Sequence, residues 1–294
     1  MAELTTIEVV AKRIEDFIVT QVLRGAKSSK LMGSSLSDVV GKAKESKVPV
    51  LTVGGARNYS GAYADSDSDV SYETLTNAAV RQVCYTVPRT ESLQAGLKML
   101  AKIAEKQGMK EMVKEIDAVR FANLAAGATT VTTTVPDEDN VEALLKAAQT
   151  SLFELGYDRD EITIYMNSAT SDLLDGKIVW DTPNMTGEIK QIVGIYNESE
   201  IIVVPQSRFY SQITLLDTTA GGFEKTAVTG KDLRFIAVAI GDEIIPTKGT
   251  DHSLIIPAEK NTLGYNDEFK SVFGYDLHVL GAEGANRIYV NQEA

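Results

Sequence analysis

Asp65, Asp67 and Asp69 stand at alternate positions in YADSDSDV, the spacing of the first three ligands of a calcium loop. Such a loop also needs a glycine turn at its sixth position and a bidentate acid at its twelfth, and here those places hold Val70 and Thr76. The triplet therefore reads as a solvated acidic tip. His252 in KGTDHSL and His278 in YDLHVL lie 26 positions apart, and neither adjoins a nucleophile motif. With Cys84 as the single cysteine, the two histidines leave little for a soft-metal site and nothing for an internal disulfide. No serine sits in a G-x-S-x-G elbow, and neither Walker nor dinucleotide glycine pattern occurs. GGAR at 54–57 and AGG at 220–222 read as two-glycine turns. Tyr59, Tyr63, Tyr72 and Tyr85 lack the interleaved basic residues that a single-strand stacking platform uses. Cys84, between Val83 and Tyr85, reads as a small buried hydrophobe, and Trp180 in VWDTPNMTG as an anchored loop residue. No catalytic, cofactor-binding or metal-binding residue is assigned.

The elements that would position these groups belong to a globular chain. Of its 294 residues 44% are hydrophobic, enough for substantial cores, and no apolar run is long enough to span a bilayer. The opening MAELTTIEVVAKRIEDF mixes acids and bases and is not patterned as a signal peptide. A formal charge of −12 argues against a broad basic surface for duplex nucleic acid. Ile7, Val10, Ile14, Phe17 and Ile18 predict an amphipathic helix over 4–23. Residues 26–47 read as an arm with at most a helical turn. VPVLTV, VSYETLT and VRQVCYTV are strand-like and flank a polar, glycine-containing stretch. Leu93, Leu97, Leu100 and Ile103 predict a helix interrupted at Gly108 and resumed by Met112, Val113, Ile116, Val119 and Leu124.

An α/β rhythm follows. Asp139 and Asn140 are placed to cap a helix carrying Val141, Leu144, Leu145, Ala148, Leu152 and Leu155 and ending at Gly156; EITIYMN alternates as a strand, and SATSDLLD makes a short helix. IIVVP, ITLLD and FIAVAI read as strands of one covered sheet. LIIPA, SVFGYDLHVL and RIYVN close the chain as further strands.

Residues 49–72 then form a two-stranded excursion. Legs of about 12 residues reach roughly 40 Å at ~3.3 Å per residue. Ordering them costs on the order of 24–48 kcal/mol, which a lone hairpin in water does not recover. Val50, Leu51, Val53, Tyr59 and Tyr63 are too few to offset that cost. Such a hairpin makes physical sense when it lies on another subunit.

This order of features resembles the major capsid proteins of tailed bacteriophages with the Hong Kong 97-type fold. VSYETLT, EIDAVRFANLA and IIVVPQSRFY carry the resemblance, which covers nearly the whole chain. It implies an α+β fold divided into an N-terminal arm (1–47), an extended loop with its flanking strands (48–89), a peripheral-domain spine helix (90–136), an axial α/β domain (137–247) and peripheral return strands (248–294). It places Arg57, Asn58, Tyr59, Tyr63, Asp65, Asp67 and Asp69 on the loop at a subunit interface. The implied role is a self-assembling icosahedral shell around double-stranded DNA, within the virion, assembled in host cytoplasm, with no cofactor, no membrane and no sequence-specific DNA contact. The implied partners are further copies in hexamers and pentamers, a separate scaffolding protein and a portal.

Two departures bear on this. No lysine occurs from Pro49 to Arg89, so the loop lysine of cross-linking members has no counterpart. No extension of about a hundred residues precedes the arm, which assigns scaffolding to a separate protein or to none. The nearest rival is an encapsulin-like compartment, to be told apart by protein cargo in place of DNA. A soluble α/β enzyme would require a small oligomer with a deep polar pocket.

Overall fold

Ile162, Ile164 and Met166 alternate with Thr163 and Tyr165, and all five are buried. A strand buried on both faces must lie between two layers, and that requirement organises the molecule. The computed structural model describes residues 26–32, 40–41, 45–53, 68–88, 99–100, 102–103, 111–174, 176–181, 193–218, 221–262 and 264–294. In chain order its elements are β1 (Val40–Gly41), β2 (Glu45–Val53), β3 (Ser68–Thr76), β4 (Ala79–Pro88), α1 (Val113–Gly127), β5 (Thr130–Thr132), α2 (Val141–Phe153), β6 (Ile162–Asn167), α3 (Ser168–Asp172), β7 (Val179–Asp181), β8 (Val193–Tyr196), β9 (Ser199–Val204), β10 (Ile213–Leu215), β11 (Phe223–Lys225), β12 (Leu233–Ala239), β13 (Ile244–Ile256), β14 (Asn266–Val279), α4 (Gly281–Asn286) and β15 (Ile288–Gln292). A 3-10 turn, Lys27–Met32, precedes them. The expected helix over 4–23 lies outside the described residues.

A seven-stranded mixed sheet runs in the order β5-β15-β12-β6-β9-β8-β7. One face, through Ile162, Ile164, Met166, Phe235 and Ala237, meets Val141, Leu145, Ala148 and Leu152 of α2. The other, through Tyr165, Ile202, Ile236, Val238 and Val290, meets Phe121, Leu124 and Ala125 of α1. Val141, Leu145, Ala148 and Leu152 form the stripe expected from the sequence, with Leu144 partly buried beside it, whereas Leu155 lies past the helix end at Phe153 and is exposed. Its N-terminus departs from expectation. The Asn140 side chain caps no helical N–H, and the backbone N–H groups of Asp139 and Asn140 donate instead to Asp137 Oδ1 at 3.0 and 2.8 Å.

The second sheet has four strands in the order β1-β13-β14-β4, dominated by the long antiparallel β13–β14 pair. It packs Tyr85, Val87, Phe269, Phe273 and Tyr275 against Val113, Ile116 and Val119 of α1. The helix α1 thus has a sheet on each side. From Glu115 to Ala125 none of its residues is exposed, which is why no single apolar stripe describes it.

Two strands lie elsewhere than expected. β15 (IYVNQ), expected among the peripheral return strands, pairs with β12 and β5 in the seven-stranded sheet. There Ile288 and Val290 point to the α1 side and Tyr289 stacks on Phe235 with ring centroids 6.2 Å apart. β10, expected in the covered sheet, pairs only with β11 as a two-stranded ribbon. Ile213 and Leu215 cover the other core from outside.

Candidate assembly interface

β2 and β3 pair antiparallel from Glu45–Thr76 to Val53–Ser68 and form a sheet of their own. The sequence placed the excursion at 49–72, and the paired legs begin four residues earlier. The root of this hairpin is fixed. Val48 and Leu75 are buried against Ile245 of β13. In the turn to β4, Ala78 N–H donates to Asp276 Oδ2 at 2.6 Å, and Thr247 Oγ1 donates to Asn77 Oδ1 at 2.5 Å. Asp276 also accepts from Asn123 of α1, so hairpin, sheet and helix share one carboxylate. On the opposite face of β3 from Leu75, Thr74 and Thr76 are exposed, and Tyr72, one pair beyond Val48, is 71% exposed. A fixed root beneath an exposed Tyr72 suits an element that docks elsewhere.

Of the loop residues singled out by sequence, Arg57, Asn58, Tyr59, Tyr63, Asp65 and Asp67 lie outside the described residues. Asp69 lies on β3, its backbone opposite Thr52.

The remaining chemical candidates fall apart in space. His278 is opposite Ile245 and His252 opposite Val272, well separated on the β13–β14 ladder. Cys84 is exposed, contrary to the buried reading. Strand alternation turns Tyr85 and Val87 inward, and so turns Cys84 outward. Trp180 belongs to strand β7 and not to a loop. Gly221 and Gly222, with φ of 64° and 87°, make the expected glycine turn. Among the described residues no group of three or more His, Cys, Asp or Glu could hold a metal ion, and no helix is long and apolar enough to cross a membrane.

What the motif reading missed is a set of buried charges on α1. Glu115 accepts from Arg81 Nε at 2.8 Å and from the Tyr275 hydroxyl. Arg81 donates onward to the Leu216 carbonyl at 3.1 Å, tying the β10–β11 ribbon to β4 and α1. Burial, reinforced by the Glu115 carboxylate, holds the Tyr275 phenol well above its ordinary range. Asp117 accepts from the N–H groups of Lys27 and Ser28 at 3.0 and 2.9 Å and from Arg208 Nη1 at 2.8 Å. Arg120 is fully buried and donates to Ser28 Oγ at 3.3 Å. Burial lowers it to about 10, against the raising effect of Asp117, so it stays charged at neutral pH. One signal was available: EIDAVRFANLA carries three charges inside an otherwise apolar helical run, and such charges are rarely buried without partners.

No protein-family model matches this sequence, and no curated protein matches it significantly. Solved structures do. The mature capsid of bacteriophage PhiM1 superposes with a TM-score of 0.51 at 11% identity, over 87% of this chain and 84% of that one. The fold is that of a phage capsid subunit. A structure from Gordonia phage Cozz aligns with a TM-score of 0.48 at 16% identity, over 87% of this chain and 82% of that one. A virus-like particle from Pyrococcus furiosus gives 0.45 at 13% identity, over 93% and 99%. Within this fold, α1 is the helix shared by both sheets, and β2–β3 is a two-stranded sheet rooted on β13.

Proposed function

We propose that this chain is a major capsid protein whose copies assemble into the closed shell of a virion around double-stranded DNA. The observation that carries the reading is the β2–β3 hairpin, a sheet of its own in a fold shared with the PhiM1 mature capsid. The role is structural. The hairpin docks on a neighbouring copy, through heterologous contacts that close rings. Residues 1–47 act as the arm, 48–89 as the extended loop with its flanking strands, 90–136 as the spine region and 137–247 as the axial domain. The return strands begin near 248, with β15 assigned to the axial sheet. Arg57, Asn58, Tyr59, Tyr63, Asp65, Asp67 and Asp69 are the contacting loop residues. Hexamers and pentamers of this chain, a scaffolding protein and a portal complete the assembly in host cytoplasm, and the DNA is enclosed without being read.

Deleting Asn58–Ser68 tests this. Negative-stain microscopy is expected to show closed icosahedral particles from the parent chain and none from the deletion, whose subunits keep the parent's circular dichroism. Normal shells from the deletion would remove the loop from the interface. A parent that stays solitary would remove the shell. Particles filled with protein cargo would favour a compartment over a virion.

A further inference from the structure

The Lys27–Met32 turn spans the gap between the two cores. Ala26, just before it, is buried in the cluster of the four-stranded sheet, and Leu31 in that of the seven-stranded sheet. Between these apolar ends the segment is held by Asp117, whose buried carboxylate takes both of its N–H donors there and Arg208. Lys30 adds an ion pair to Glu200 on β9. Beneath the turn, Arg120 Nε and Nη2, Arg208 Nε and the Tyr165 hydroxyl are buried without a hydrogen-bond partner among the described residues. The joint is therefore polar, whereas the sheets on either side of it are apolar. A buried carboxylate that loses one donor is left poorly compensated.

We propose that residues 26–32 form a strap across the two sheets, latched by Asp117, and that releasing it lets the sheets change their relative angle. Resting on the shell reading above, this is the adjustment by which identical chains occupy non-identical positions in a curved wall. Asp117 is a positioning residue: it acts by holding the strap, and the strap holds the angle.

Hydrogen exchange on unassembled full-length subunits tests the latch. Asp117→Asn removes the acceptor charge; Arg208→Ala, at the rim of the joint with 16% of its side chain exposed, serves where the first variant fails to fold. Amides of 26–32 are expected to exchange at least tenfold faster, with β6, β12, β13 and β14 protected as in the parent, and particle diameters spread over a wider range by microscopy. Unchanged exchange at 26–32 overturns the proposal, as does an equal loss of protection in the sheets, or a freed strap with unchanged diameters. A parent that forms no particles sinks the shell reading instead, and the exchange pattern then decides the latch by itself.

Discussion

Tyr85 shows how a single buried group ties stability to pH. Its ring stacks on Phe269, with centroids 6.0 Å apart, and its hydroxyl has no partner among the described residues. Burial pushes the phenol up to about 12. The unfolded chain ionises this tyrosine near pH 10 and the folded chain does not, so the folded state holds the extra proton between pH 10 and 12. Stability is whole below pH 10 and falls as pH rises through that window, by about 1.4 kcal/mol per unit for this tyrosine. Tyr275 and Tyr165 are raised as well, and add to the fall. Tyr85→Phe removes one contributor and one orphaned hydroxyl. Urea midpoints from pH 8 to 11.5 are expected to decline less steeply in the variant, with equal or slightly higher stability at pH 8. Parallel pH profiles would mean that the phenol is not buried.

At the scale of elements, α1 decides the architecture because both sheets close on it, and at its C-terminal end β14 comes close. A Cβ built on Gly127 would stand 2.7 Å from Val279 Cγ2 and 2.9 Å from Val279 Cβ. Valine is stiff at χ1 and cannot swing clear. Gly127→Ala is therefore expected to lose about 1–3 kcal/mol to overpacking, against a helix-propensity gain of less than about 1 kcal/mol. In a Val279→Ala background the same change should turn neutral or stabilising. Thermal melts of the four chains of this double-mutant cycle check the coupling, and additive effects would show that the contact is slack. The helix itself was legible in Met112, Val113, Ile116, Val119 and Leu124. Its second buried face was not, because Phe121, Ala122 and Ala125 gain meaning only once a sheet is known to lie there.

For the whole molecule, a formal charge of −12 bears on whether the chain holds duplex DNA. Duplex binding scales with the phosphates neutralised by Lys and Arg and weakens steeply with salt. Subunits of this chain are expected to leave duplex DNA unretarded in gel-shift assays at 0.15 M salt, and still unretarded at 0.02 M. A shift that appears at low salt and vanishes at high salt would reveal a basic surface that the total charge conceals. Weak attraction to duplex DNA is what the proposed shell role asks for.

The chain's own order of residues was sufficient for several of the local elements. Alternation in EITIYMN, the stripe of α2 and the paired legs around a polar tip all follow from periods of 2 and 3.6, which depend only on near neighbours. Assignment of strands to sheets was not contained there. RIYVN reads the same whether it joins β14 or β12, and ITL the same in a ribbon or a covered sheet, because a strand's period does not say which segment pairs with it. The outward turn of Cys84 and the buried joint of Asp117, Arg120 and Arg208 have a common cause. A side chain's surroundings are set by the register and the layer laid against it, and those exist only after distant segments have met.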